Sequence, residues 1–266
     1  MSRQIISWLT IAACVCIFIV AVMWRRSKEF MFRKELPRIY ELRDLLSTPL
    51  PPDGYFRNLD QSLTEIPQKL RQYRDIEQEL QGLDEKAWAF LKSEAVPRLT
   101  AHDPARGWQS LFDILNQAKA YNHLKRSGCT EIAFIPPSRV KGKQTPDLKA
   151  VSNASPVLCE VKTINISQKE AERRRTGGVG SSSDRLEDGF FNKLTSDLTQ
   201  ARSQMLAYDQ GAAAQKIVYV IVNFDDSLHE YADRYQILID EFVATNPVPD
   251  LMIVFDIKPP FYGAMR

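Results

Sequence analysis

Asp147 follows a proline, and downstream Glu160, Val161 and Lys162 lie inside an apolar run. Two carboxylates and one amine can do a definite kind of chemistry. Carboxylate oxygens hold hard divalent cations such as Mg²⁺, together with waters and phosphate oxygens. An amine beside them can orient a water molecule or stabilise a growing negative charge. That chemistry requires the three side chains to meet, so the elements that carry them must be read first.

The stretch Thr145 to Thr163, TPDLKAVSNASPVLCEVKT, has the pattern of a two-stranded hairpin. Val157, Cys159 and Val161 alternate with Leu158, Glu160 and Lys162, and a strand sends alternate residues to opposite faces. Glu160 and Lys162 therefore share a face, while Val161 points to the core. Ser152-Asn153-Ala154-Ser155 supplies turn chemistry between the two runs. Folding about Asn153-Ala154 sets Asp147 opposite Glu160, Leu148 opposite Cys159 and Ala150 opposite Val157. A slip of one residue would send Asp147 to the wrong face. In this register the two acidic Cβ atoms are about 5 Å apart. Opposed like charges are destabilising, and a divalent cation is a natural compensation.

Pro146-Asp147 followed by Glu160-Val161-Lys162 resembles the signature of the PD-(D/E)xK phosphodiesterase superfamily, the restriction-endonuclease-like fold. The resemblance implies that Asp147 and Glu160 bind Mg²⁺ (or Mn²⁺), with a backbone carbonyl near Val161 as a further ligand. It implies that Lys162 orients or activates the attacking water. Many members of that family add a Glu from the first helix, and the corresponding position here holds Gln117. A glutamine can coordinate through its oxygen or hold a metal-bound water, or it can be a polar residue on an exposed face. Gln204 and Tyr208 resemble the Q-x-x-x-Y motif of the RecB-like branch, where it helps position DNA. Gln200 shares their helix face, and the alternative is the polar edge of an amphipathic helix.

The chain has 266 residues with a formal charge of +2. That length allows one ordinary domain and something more. The near-neutral charge means that any nucleic-acid-binding surface must be local. Arg139, Lys141 and Lys143 flank the hairpin on one side. Lys169, Arg173, Arg174 and Arg175 flank it on the other, and basic loops beside a carboxylate pair suit a polyanion such as DNA, or less readily RNA. The four cysteines form no C-x-x-C pair, which argues against a zinc cluster or a disulfide framework. The three histidines are scattered.

The run from Ile5 to Trp24 carries no charge. At about 1.5 Å per residue a helix over it spans about 30 Å, the thickness of the bilayer core. Arg25, Arg26, Lys28, Arg33 and Lys34 follow, so the positive-inside rule puts the rest of the chain in the cytoplasm. Residues 1–27 are thus read as a membrane anchor with a transmembrane helix over 5–24. Residues 28–104 read as a helical spacer: a helical subdomain packed on the remainder, or else a tether or a dimerising helical hairpin. Asp84 is suited to cap a helix bearing Trp88 and Leu91.

Residues 105–266 read as one α/β domain. The pattern predicts a helix over Trp108–Arg126, a strand over Ile132–Ile135, the hairpin, and a long helix marked by Phe191, Leu194, Leu198, Ala201 and Met205. A strand buried on both faces follows over Ile217–Val222, then a helix over Leu228–Phe242 and a strand over Leu251–Ile257. The restriction-endonuclease-like core runs helix, three strands, helix, strand, a mixed central sheet flanked by helices, and the order here matches over Trp108 to Phe224. The expectation is a membrane-anchored, metal-dependent nuclease. Two rivals are a catalytically inactive module of the same fold that binds nucleic acid or a protein partner, and a tethered helical scaffold in which the motif is a coincidence.

Overall fold

The computed structural model describes residues 27–46, 54–103, 107–140, 144–165, 184–209, 214–223 and 231–258, with isolated residues between them. Residues 27–35 are helical. Helices α1 (Pro37–Asp44), α2 (Leu59–Glu65), α3 (Pro67–Gln81) and α4 (Glu85–Ala95) follow, with a short 3₁₀ turn at Val96–Arg98. Next come α5 (Gln109–Arg126), β1 (Thr130–Phe134), β2 (Leu148–Ser152) and β3 (Ser155–Ile164). Then α6 (Asp188–Asp209), β4 (Gln215–Asn223), α7 (Ala232–Thr245) and β5 (Leu251–Lys258) complete the described elements. The molecule is mixed α/β, as its patterning predicts. Among the described residues no helix is long and apolar enough to cross a membrane. The run Ile5–Trp24 lies almost wholly outside them.

The five strands form one sheet in chain order, β1-β2-β3-β4-β5. The first two junctions are antiparallel and the last two parallel. Tight connections suffice for the antiparallel pairs, whereas each parallel junction needs a crossover helix, here α6 and α7. The β2–β3 hairpin turns at Asn153 and Ala154, whose φ values of 49° and 63° are both positive. Those are the backbone angles of the two-residue type I′ turn, whose twist matches that of the flanking strands. Leu148 pairs with Cys159 and Ala150 with Val157, the register that the alternation of polarity predicts.

Helices cover both faces of the sheet. On one face Leu148, Ala150, Val157, Cys159, Ile217 and Tyr219 share a core with Leu111, Leu115 and Leu124 of α5, and with Leu36, Ile39, Leu80, Trp88 and Leu91 of the preceding helices. On the other, Leu158, Ile164, Val218, Val220 and Val222 pack against Leu194, Leu198, Ala201 and Met205 of α6 and Ile239 of α7. Side chains of β4 from Ile217 to Val222 are buried on both faces, which is why that strand reads as an unbroken apolar run.

Long-range polar contacts tie the N-terminal helices down. α1 begins at a proline with no capping side chain of its own. Its free amides are met instead by the buried Glu77 of α3, which accepts from Arg38 N at 3.1 Å and Ile39 N at 2.9 Å. A carboxylate suits the positive end of a helix. Asp84 caps α4 by accepting from Ala87 N at 2.8 Å, and it also accepts from the Tyr121 hydroxyl on α5 at 2.9 Å. Gly82 ends α3 where Asn122 of α5 abuts the backbone; a side chain there would collide with the Asn122 amide.

Candidate metal and phosphodiester site

β3 extends beyond the start of β2, so from Val161 onward its edge on that side has lost its strand partner. Asp147, at the bend where the chain enters β2, fills the gap. Its Oδ2 accepts from Val161 N at 2.7 Å, in the position a ladder carbonyl would otherwise occupy. Its own carbonyl accepts from Ile135 N at 2.8 Å, which pins the bend to the chain leaving β1. A strand residue sends its N–H and C=O to the same side. The Val161 carbonyl therefore faces the Asp147 edge as well, while the Val161 side chain packs on the α5 core.

Glu160 projects to the α6 face and is 4% exposed. Its Oε1 accepts from Lys162 Nζ at 2.8 Å, two residues on and on the same face. Its Oε2 accepts from Gln204 Nε2 at 3.0 Å. The same Gln204 amide donates to the carbonyl of Thr145, so one α6 side chain ties β3 to the segment that leads into β2. From the opposite helix layer, Gln117 Nε2 donates to Asp147 Oδ1 at 3.3 Å. Glutamines from two helices on opposite sides of the sheet thus hold the two carboxylates.

Burial, and then the Glu160 charge, push Asp147 up to about 7; the Val161 amide and Lys162 pull in the other direction and do not prevail. Burial likewise raises Glu160, against the counteracting Lys162 ammonium and the Gln204 hydrogen bond. When both are ionised the pair carries one negative charge beyond the single neighbouring ammonium, and burial penalises that charged form most. Each carboxylate oxygen keeps acceptor capacity beyond the bond it receives. This donor set fits a hard divalent cation: two carboxylates in excess charge, and a backbone carbonyl on the same edge. Among the described residues no group of three or more His, Cys, Asp or Glu side chains converges. The remaining ligands would have to be carbonyl, water or substrate oxygens.

Asp147, Glu160, Lys162, Val161, Gln117 and Gln204 come together. Two residues of the α6 stripe do not join them. Gln200 donates to Gln144 at 3.5 Å in an exposed position, and Tyr208 packs against the apolar cluster beneath α6. Arg139 is exposed. Lys141, Lys143, Arg173, Arg174 and Arg175 lie outside the described residues. Sequence reasoning missed the link between Asp113 and Asn165: Asn165 Nδ2 donates to Asp113 Oδ1 at 3.4 Å and ties the end of β3 to α5. Asp113 lies one helical turn before Gln117, on the same face, and that spacing was the available signal. No protein-family model, curated protein or solved structure matches the chain.

Proposed function

We propose that the chain is a metal-dependent phosphodiesterase acting on nucleic acid, a nuclease with the restriction-endonuclease-like fold, held at a membrane by its N-terminal run. The observation that carries this reading is the pair of half-buried Asp147 and buried Glu160, each carboxyl raised above its usual range, with Lys162 hydrogen-bonded to Glu160. The element order helix, three strands, helix, strand supports it.

Asp147, Glu160 and the Val161 carbonyl would hold Mg²⁺ or Mn²⁺. When bound, such an ion acidifies a water molecule and offsets charge on a phosphoryl oxygen. The chain's own residues do the rest. Gln117 and Gln204 fix the carboxylate rotamers, so the donors stand ready without reorganisation. Lys162 keeps its ammonium beside Glu160, where it can orient a water or receive the negative charge that develops on phosphate. Arg139 and the basic residues that neighbour the hairpin in sequence suit a polyanionic substrate, and DNA is the substrate we assign first.

A second reading is favoured by one observation. Gln117 stands where a further acid would strengthen the site, and it donates to Asp147 in place of contributing charge. On that reading the domain binds nucleic acid or a protein without cleaving. The experiment is incubation of the full chain, in detergent or vesicles, with linear and circular DNA and with RNA, in Mg²⁺ or Mn²⁺. Lys162→Ala is expected to lower cleavage at least ~100-fold, the scale of losing a charged participant in the chemical step. Full activity in Lys162→Ala removes the assignment. If the parent is inert and Mn²⁺ binds equally to it and to Glu160→Ala, the metal site itself is wrong.

A further inference from the structure

The helical segment 27–35 presents a face that nothing in the described structure covers. Phe30 is 59% exposed and Met31 53%, and Leu45, at the end of α1, is 49% exposed. Val20 and Met23 are also helical and exposed. In sequence they stand three and four residues apart from the series that Ser27, Phe30, Met31 and Lys34 continue, the spacing of one helix face. The Lys34 ammonium lies over the Phe30 ring, 4.4 Å from its centroid. The face is thus apolar with a cationic margin, and Lys34 carries its charge over an aromatic ring.

The opposite side of the same segment is fastened to the folded domain. Phe32 and Leu36 enter the core. Glu29 pairs with Arg33 at 3.0 Å and with Arg43 at 3.5 Å. Arg33 in turn pairs with Asp44 at 2.6 Å, and Arg43 with Asp60 at 2.9 Å. The segment therefore cannot turn to bury Phe30 and Met31 without breaking both the core contacts and this network.

The clamped Glu29 is five residue steps on from Trp24, the end of the uncharged run. Even fully extended those five steps reach about 17 Å. If the run crosses a bilayer, the clamped segment lies within the headgroup layer or just beneath it. Lys28 adds to the positive charge of the segment, and the sequence places Arg25 and Arg26 just before it, a composition that suits anionic headgroups.

We propose that Phe30, Met31 and Leu45 are seated in the headgroup–acyl boundary of an anionic bilayer, with Lys34 at the headgroups, so that the domain is docked on the membrane in one orientation and does not swing on a tether. This rests on the reading of Ile5–Trp24 as a membrane span and is independent of the nuclease assignment.

The test uses the full chain in vesicles of mixed neutral and anionic phospholipid. A fluorescent non-canonical amino acid is placed at Met31 or, in a separate protein, at the exposed Met252 on β5. Brominated lipids are expected to quench the probe at Met31 several-fold more than the probe at Met252, and Phe30→Glu is expected to reduce the Met31 signal. Equal, weak quenching at both positions in a chain that survives carbonate washing overturns the docking and leaves the span intact. Release by carbonate overturns both. Protection of the Met31 probe from aqueous iodide without quenching by brominated lipid means that protein, such as a second copy, covers the face, and this too overturns the proposal.

Discussion

At the scale of single residues, the feature that governs the site is a charge imbalance. Asp147 and Glu160 are held by donors from four directions, yet both remain above the ordinary carboxylate range because burial, joined at Asp147 by the Glu160 charge, outweighs those bonds. This has a consequence for stability. A carboxyl whose folded pKa lies above its unfolded value binds protons more tightly in the native state. It supports folding below the unfolded value, near 4, and that support is lost as pH rises towards about 7. Asp147→Asn keeps an acceptor for the Val161 amide and removes one charge. The substitution is expected to raise stability at pH 8 by about 1–3 kcal/mol, on the scale of 1.36 kcal/mol per pKa unit. It is also expected to flatten the decline between pH 4 and 7. Denaturant melts of parent and variant across that range measure it. A parent whose decline persists undiminished in the variant would assign the pH dependence to other groups. Divalent cation should stabilise the parent at pH 8 and have little effect on Asp147→Asn, because ligands that bind only the native state raise its stability.

At the scale of elements, the hairpin does the positioning. Its register follows from three things that agree: alternating polarity in both strands, a two-residue turn, and a core on the α5 face that accepts Leu148, Ala150, Val157 and Cys159. A one-residue slip would bury Glu160 and Lys162 in that apolar core, which is why the register is strongly specified. The turn itself is not optimal, since Ala154 sits at φ 63° and bears a Cβ there. Ala154→Gly relieves a left-handed conformation that costs roughly 1–2 kcal/mol. Part of that gain is offset by the greater entropy of glycine in the unfolded chain. The expected result is a net stabilisation of about 0.5–1 kcal/mol with unchanged activity, read as a higher denaturation midpoint at constant slope. Ala154→Val should move the midpoint the other way, because a β-branched residue tolerates positive φ poorly.

At the scale of the whole molecule, the helices before residue 104 do more than separate the sheet from the N-terminus. Leu36, Ile39, Leu80, Trp88 and Leu91 belong to the same apolar cluster as Val157 and Cys159 of β3. Stability of the strand that bears Glu160 and Lys162 therefore depends on residues far upstream. Leu91, on α4, is fully buried. Leu91→Ala should cost about 2–5 kcal/mol through lost apolar transfer and a residual cavity. One cooperative core predicts that the loss appears equally in Trp88 fluorescence and in hydrogen-exchange protection of the β3 amides. A variant that loosens α4 and leaves β3 protection unchanged would show two independent units. The same integration bears on membrane docking, because a segment clamped to this core transmits its orientation to the sheet and hence to the carboxylate edge.

Local pattern was enough to determine the hairpin, its register, the shared face of Glu160 and Lys162, the doubly buried β4 and the Asp84 cap. Each depends on residues close in sequence, where periods of 2 and 3.6 and turn chemistry act directly. Only the tertiary structure decided which distant side chains complete the site. Gln204 was legible as one of a polar stripe and, with Tyr208, as a motif resemblance, but not by what it holds; the packing of α6 on the sheet sets it at Glu160 and the Thr145 carbonyl and leaves Gln200 at the surface. The Asp113–Asn165 link showed only its Asp113 half, one helical turn before Gln117, and the Glu77 cap on α1 showed nothing, since each joins elements whose mutual separation in sequence carries no periodic signal. Chemistry-bearing residues could be named from the chain because strand geometry forces neighbours together. Which of the named glutamines support them, and through which contacts, could not be read, because long-range contacts are selected by the packing of whole layers.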